Sequence, residues 1–331
     1  MALLSPHSSG LSPHTKTLTA DLRWSPLAEL RVGDELIALD EEKGSLRDQN
    51  KNAFRRWRLA SVLSIERVFL PSMRIAMDDG TTFLCSTRYS WLAPASGASV
   101  WSESRFLKQA GEYPGASRVT RVTGVWQEDR SWEAGYLAAA VDGEGHLSQF
   151  DNAGRRDSIQ FRLGFAQRQN AMLAEFKIAA AKLGFVFSFS GSLNYSLRGG
   201  KAKTMAFLGT VRPRRLLASF QPARIGTVHR MANVRVKTVE CADEQELVAI
   251  RTSTGTLLLE GFAGHDNSRS SNACTRESRI VSYCGQEMHL SDAIALSGIG
   301  ENTVRLRLHY GWPIERALTE PPRRRRPSAG G

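Results

Sequence analysis

The sequence predicts a multidomain chain: an all-β unit interrupted by an α+β unit, followed by a small all-α module. Three observations predict it. Short apolar segments broken by turns run to about Arg118 and return from Val234. Between them the pattern runs helix, two strands, helix, two strands, helix. Beyond Asn267 a polar stretch leads into a run with helix caps and breaks. At 331 residues the chain exceeds the usual size of one domain, which suits this division.

In the first part the strand candidates are Thr15–Leu18, Glu35–Leu39, Leu59–Val68, Met73–Met77 and Thr81–Ser86. Asp79 and Gly80 have the composition of a tight hairpin turn. A basic loop is expected from Arg47 to Arg58. A helix then starts at Ser131, which can cap it, with Glu133 in the first turn where the helix dipole favours an acid. Asp142-Gly143-Glu144-Gly145 ends it. Strands follow at His146–Phe150 and Ser158–Arg168; the second alternates, with Ile159, Phe161, Leu163 and Phe165 on one face and Gln160, Arg162 and Arg168 on the other.

Asn170 can cap a helix over Ala171–Leu183, whose Leu173, Phe176, Ala180 and Leu183 form an apolar stripe. A hairpin comes next, with Phe185, Phe187, Phe189, Leu193, Tyr195 and Leu197 facing one way. Ser188, Ser190, Asn194, Ser196 and Arg198 face the other. A last helix, Lys201–Gly209, is ended by Arg212-Pro213-Arg214-Arg215. Strands resume at Val234–Val239, Leu247–Thr252 and Thr256–Glu260, so the α+β unit is read as an insertion into the β unit. In the C-terminal run, Leu290–Leu318, Ser291 caps a first helix. Glu301-Asn302 opens a second, and Gly311-Trp312-Pro313 breaks into a third.

Composition narrows the function classes. Lys and Arg exceed Asp and Glu by enough to give a formal charge of +11, which favours a polyanion, nucleic acid being the commonest. No stretch approaches the ~20 apolar residues of a membrane span. Met1–Leu11, rich in Ser and Pro, lacks the basic and apolar regions of a secretory signal. A cytoplasmic setting is therefore expected, with no membrane partner. Cys85, Cys241, Cys274 and Cys284 form no C-x-x-C pair and read as reduced, mostly buried side chains.

Leu137-Ala138-Ala139-Ala140-Val141-Asp142-Gly143-Glu144-Gly145 resembles the LAGLIDADG motif of homing endonucleases, and the flanking element order matches that family from about Trp132 to Phe220. The resemblance implies that Glu144 is the metal-binding catalytic acid, that Mg²⁺ is the cofactor and that double-stranded DNA is the substrate. A carboxylate at a helix end can hold a hard cation through oxygen. The small residues let two such helices approach closely, with Ala138, Ala139, Asp142 and Gly143 at the helix end and seam. One copy of the motif implies a homodimer. Asp142 is read as holding the helix end rather than the metal. By the same resemblance Gln167 lies near the metal water, although strict alternation puts it on the apolar face. Arg212 is the candidate for the basic residue at the scissile phosphate, with Arg214 and Arg215 as rivals. Gln160, Arg162, Arg168, Asn194, Ser196 and Arg198 would read DNA from the polar sheet face.

Thr15–Trp24 followed by Leu30–Asp34, then Asp79–Phe83 and Thr252–Phe262, look like the ordered blocks of a Hint domain, the fold of inteins. Splicing needs a first Cys or Ser, a block histidine, and a terminal His-Asn before a Cys, Ser or Thr. These positions fall on Gly10, Tyr89, and His265-Asp266-Asn267, so the splicing chemistry is expected to be lost. The C-terminal run is similar to helix-turn-helix modules of phage-type homing nucleases, with Arg307–Leu318 as their Arg-x-x-x-Gly-Trp-x-x-x-x-Ala-Leu pattern. Asn302, Thr303, Arg305 and Arg307 would then face DNA.

The expected organisation is a Hint-like β domain at 10–125 and 230–267, an endonuclease domain at 131–223, a helix-turn-helix module at 279–320 and a basic disordered tail at 321–331. The expected function is Mg²⁺-dependent, site-specific cleavage of double-stranded DNA, with no small-molecule cofactor besides the metal. The alternatives are a catalytically degenerate DNA-binding protein and an autoprocessing intein.

Overall fold

Two units make up the chain, residues 1–268 and residues 269–331. The computed structural model describes residues 9–41, 55–95, 98–109, 116–151, 159–228, 231–266, 280–283, 286–297, 299, 301–310 and 312–320. Most of the expected basic loop and all of the C-terminal tail with Arg323–Arg326 lie outside these residues.

The first unit is built on an antiparallel sheet of 11 strands. Before the insertion come β1 (Lys16–Leu18), β2 (Trp24–Pro26), β3 (Glu35–Leu39), β4 (Trp57–Met77), β5 (Thr82–Ser86), β6 (Ser90–Ala95), β7 (Ala98–Glu103) and β8 (Arg118–Arg121). After it come β13 (Ala232–Thr252), β14 (Thr256–Leu259) and β15 (Phe262–His265). The two sets interleave: β14 lies between β1 and β15, and β13 lies between β8 and β4. The β unit therefore needs both halves of the chain to complete one sheet.

Two long strands correct the sequence reading. β4 and β13 each run 21 residues where two separate strands were expected. Pro71 falls inside β4, opposite Glu244 at a register shift. A bulge tolerates a proline that a regular ladder would not, so Pro71 reads as a breaker without being one. The same irregularities leave Leu63 and Phe69 exposed and blur the alternation. Trp57 and Arg58, assigned to the basic loop, belong to β4.

The inserted segment runs α1 (Trp132–Glu144), β9 (Gly145–Asp151), β10 (Ile159–Ala166), α2 (Ala171–Lys182), β11 (Phe187–Gly191), β12 (Asn194–Leu197), α3 (Gly200–Val211) and α4 (Arg214–Ser219). Its sheet has the order β11-β12-β10-β9. Both expected caps are present: Ser131 Oγ accepts from the Ala134 amide, and Asn170 Oδ1 accepts from the Leu173 amide. One sheet face carries Phe161, Leu163, Phe165, Phe187, Tyr195 and Leu197 into a core with the helices. Leu18, Leu22, Ile37, Leu39 and Trp126 of the β unit belong to the same core. Phe189 and Leu193 were expected on the buried face but are 60% and 48% exposed. They sit at the tip of the β11–β12 hairpin, where a bulge and the left-handed Ser192 end regular pairing. The Arg212–Arg215 run does more than end α3: Arg212 turns the chain in a left-handed conformation and α4 begins.

The second unit contains a hairpin, β16 (Ile280–Tyr283) and β17 (Gln286–His289), which the sequence reading missed. Three helices follow: α5 (Leu290–Ser297), α6 (Glu301–His309) and α7 (Ile314–Thr319). Ser291 lies inside α5 rather than capping it, because the helix starts directly from β17. Leu290, Ala293, Ile294, Ile299, Val304, Ala317 and Leu318 form this unit's own core.

Candidate nucleic-acid interface

Gly143 does not break α1. The helix carries on to Glu144, which is exposed, and Gly145 passes straight into β9. Two helix ends secure each other here. Arg215 donates from Nε to Asp142 O (2.5 Å) and from Nη2 to Val141 O (3.0 Å) and Gly145 O (2.6 Å). These carbonyls lie at the end of α1, where the negative end of its dipole favours a cation, and Val141 O also accepts from the Gly145 amide. In return Asp142 Oδ1 accepts from the amides of Arg215 (3.1 Å) and Leu216 (3.2 Å), at the start of α4. Asp142 is thus engaged as a helix cap.

The register places Gln167 at the same end of the small sheet as Glu144. Phe165 pairs with Gly145, and Ala166 pairs with Asn194. Gln167 lies just past the end of β10, so the alternation that would have buried it no longer applies. It is half-buried; its Nε2 reaches Met172 Sδ at 2.9 Å, and its Oε1 accepts from the Arg168 amide.

The three arginine candidates have different surroundings. Arg212 reaches the turn between β1 and β2, donating to Asp21 O at 2.5 Å and lying 3.7 Å from the Asp21 carboxylate. Burial and the neighbouring Arg23 lower its pKa, against the opposing pull of Asp21 and Glu128. Arg215 is committed to α1. Arg214 is exposed.

Among the described residues, no three His, Cys, Asp or Glu side chains gather closely enough to hold a metal ion.

The sheet face turned away from the helices is polar. His146, Gly164, Ser196 and Ser188 form one row across four strands, and Ser148 and Arg162 form the next. Gln160 is half-buried, whereas Arg162, Asn194 and Arg198 are exposed. Ser196 is half-buried, and Arg168 is exposed beyond the strand. His146 and Ser148 were not singled out from the sequence. Gly164 was the available signal: a Cβ there would lie 2.2 Å from the His146 ring, so the imidazole lies across bare backbone.

On α1, Ala139 and Gly143 are exposed and Ala138 is half-buried. Trp132, 61% exposed, stacks on Tyr136 at 5.0 Å along the same helix.

In the second unit Arg307 does not face outward. It is buried and donates to Ala317 O at 3.0 Å and to Glu320 O at 2.5 Å. Trp312 lies under the guanidinium groups of both Arg307 (5.0 Å) and Arg316 (4.4 Å). The Arg-x-x-x-Gly-Trp pattern therefore builds the module's interior. Thr303 is half-buried, while the side chains of Asn302 and Arg305 lie outside what is described. Leu306 is exposed on α6, and Tyr310 is exposed just past its end.

The positions that the Hint resemblance matched to splicing residues come together around β5, β6 and β15. Gly10 is clamped to Ser86, donating its amide to Ser86 Oγ (3.0 Å) and accepting from the Ser86 amide (2.9 Å). Tyr89 is buried, and desolvation together with Asp266 and Cys85 raises its pKa. Asp266 is buried too, accepting from the Thr252 amide and, at 2.7 Å, from Thr252 Oγ1. His265 Nε2 pairs with Glu41 Oε1 at 2.8 Å. Cys85 lies close by, but burial pushes its thiol up to about 12, so it stays protonated. Cys241 is exposed, against expectation, while Cys274 and Cys284 lie outside the described residues.

No protein-family model matches the chain, and no curated protein matches it. Among solved structures it is similar to the gp41-1 intein, at 10% identity and a TM-score of 0.32, over 78% of this chain and 98% of that one. It is similar also to a DnaB intein from Synechocystis sp. PCC 6803, at 7% identity and a TM-score of 0.36, over 78% and 99%. The MchDnaB-1 intein aligns at 10% identity and a TM-score of 0.31, over 77% and 99%. Neighbours this distant leave the functional reading to the chain's own residues.

Proposed function

We propose that this protein is a site-specific DNA endonuclease of the homing type, carried in a Hint-like β unit that no longer splices. The observation that carries the reading is the end of α1. It delivers an exposed Glu144 to the same end of the small sheet as Gln167 and Asn194, beside a polar face with Arg162 and Arg198. Such a face can offer hydrogen bonds to base edges and charge to phosphates. The net charge of +11 favours the same partner.

One chain supplies half of a catalytic site. The active species is therefore a homodimer, with the exposed small residues of α1, Ala139 and Gly143, at the seam and one Glu144 from each copy. Mg²⁺ is the proposed cofactor, with the Glu144 carboxylate of each copy as its ligand. The second unit adds DNA contact through α6, and the tail at 321–331 adds sequence-independent attraction. A bacterial cytoplasm is the proposed setting.

A plasmid-library cleavage assay with and without Mg²⁺ tests this. Wild type should cut a unique site only with the metal, and Glu144→Gln should lose cutting while its DNA affinity changes less than about threefold. Cutting by that variant, or a strictly monomeric complex on cleaved DNA, would sink the assignment. Binding without any cleavage would instead favour a DNA-binding protein that has lost catalysis.

A further inference from the structure

We propose that the cavity between the β1–β2 hairpin and the segment leading into α1 binds one unstacked nucleotide, base inside and phosphate at the mouth. This goes beyond the endonuclease reading and does not rest on it. The cavity measures about 220 Å³, and its lining includes Lys16, Arg23, Trp24, Trp126 and Glu128. Its aromatic corner follows from the strand register. Leu18 pairs with Trp24, and Lys16 stands two residues before Leu18, so Lys16 and Trp24 share one face of the hairpin. Trp126 meets Trp24 edge to face, with ring centres 5.4 Å apart and planes at 73°. Trp126 is fixed there, donating from Nε1 to Leu22 O at 2.9 Å. Gly209 of α3 allows the approach, since a Cβ on it would lie 2.0 Å from that nitrogen. Trp24 differs: its Nε1 is buried with no hydrogen-bond partner among the described residues. A buried donor in that state costs stability until an acceptor reaches it.

Space and charge then select the ligand. A cavity of about 150 Å³ already admits a single aromatic ring. At about 220 Å³ this one takes a nucleobase and leaves its sugar and phosphate outside. The indoles give the base a π-surface to lie against. Cations stand at the mouth: the Arg23 side chain is 54% exposed, and Lys16 forms no ion pair among the described residues. The neighbouring acids are already engaged. Asp21 pairs with Arg23 and Arg212, and Glu128 lies 3.7 Å from Arg23 and 3.5 Å from Arg130. A phosphate arriving here therefore meets net positive charge. Bases inside a duplex are stacked and paired, so the ligand is a free nucleotide or an unpaired one in a strand.

Calorimetric titration of the full chain tests this with four probes: dAMP, deoxyribose 5-phosphate, a short single strand, and the same sequence as a blunt duplex. Whichever of dAMP and the strand binds should saturate at one site per chain. Deoxyribose 5-phosphate, which lacks the stacking base, should bind at least about tenfold more weakly. Lys16→Ala should keep the thermal midpoint and weaken that nucleotide probe at least about tenfold. Trp24→Leu should weaken it as much; if that variant does not fold, Lys16→Ala decides. Strand binding that Lys16→Ala weakens assigns an unpaired nucleotide of a strand, and dAMP binding without it assigns a free nucleotide. The proposal is overturned if neither dAMP nor the strand binds, or if either variant, folded, keeps wild-type affinity. It is overturned equally if deoxyribose 5-phosphate binds as tightly as dAMP, or if Lys16→Ala weakens the duplex as much as the strand. Either result leaves the Glu144 cleavage test untouched.

Discussion

At the scale of single residues, the site is held by a reciprocal pair. Arg215 closes the end of α1 and Asp142 closes the start of α4. Arg215→Ala removes three hydrogen bonds to carbonyls at the end of α1, a loss of about 2 kcal/mol, read as a fall of several degrees in the thermal midpoint. An unchanged midpoint would show that the α1 end does not depend on it. The sequence allowed Asp142 to be read as a helix-end residue, but its partner lies 73 positions away. No local pattern announces such a pairing. Lys201 is a second case that only coordinates reveal. Its Nζ is buried with no hydrogen-bond partner among the described residues, and burial lowers its pKa from 10.5 to about 8. Between those two values the unfolded chain holds the extra proton, so stability contributed at this site rises with pH across that window. Lys201→Met should raise the midpoint at pH 7 by an amount worth roughly 1 kcal/mol, discounted for the part of the side chain that water screens. The variant should also lose the alkaline rise. A midpoint that drops at neutral pH would mean the ammonium is well solvated.

At the scale of elements, regular amphipathic segments were legible and irregular ones were not. α1 and α2 begin where their caps were expected, and β10 shows the expected buried alternation. Asn170→Ala should cost about 1 kcal/mol, because Oδ1 is the acceptor for an amide of the first turn. Chemical denaturation measures it, and an unchanged midpoint concentration would show that water replaces the cap. β4 and β13 were split in the reading because bulges and Pro71 interrupt their periodicity. α4 was missed because a six-residue helix after a proline leaves too few turns to show a stripe. In the second unit, the Arg307–Leu318 pattern suggested a DNA-contacting arginine, yet Arg307 is buried over Trp312 and bonds two carbonyls near the end of α7. A small core has little stability to spare. Arg307→Ala should therefore unfold this module, at a cost of about 3 kcal/mol, and abolish its thermal transition. A variant that keeps the transition while losing DNA affinity would return Arg307 to the interface.

At the scale of the whole first unit, interleaving makes the β sheet and the inserted segment depend on each other. Strands before and after the insertion alternate in one sheet, and one core joins Leu22 and Trp126 to Leu137 and Phe207. The insertion was legible because strand patterns stop and resume; the shared core was not, because it joins residues far apart in sequence. This packing also bears on whether splicing chemistry could be introduced here by substitution. A Cβ at Gly10 would lie 2.8 Å from Leu247 Cβ and 3.2 Å from Val248 O, so a cysteine there has to displace its neighbours. Tyr89 fills the interior against Trp91, and a Cβ on Gly264 would meet its hydroxyl at 2.5 Å. Asp266 is bound by Thr252 and is not poised to attack its own backbone. The combined variant Gly10→Cys, Tyr89→His, Asp266→Asn should therefore lose roughly 2–4 kcal/mol from overpacking at one site and a cavity at another. It should also remain a single species. Intact mass after incubation with a thiol checks this, alongside the Asp266→Asn single variant as the better-folded control. Release of the segment before position 10 would mean that the packing tolerates splicing chemistry, and that the β unit has kept more than a scaffold's role.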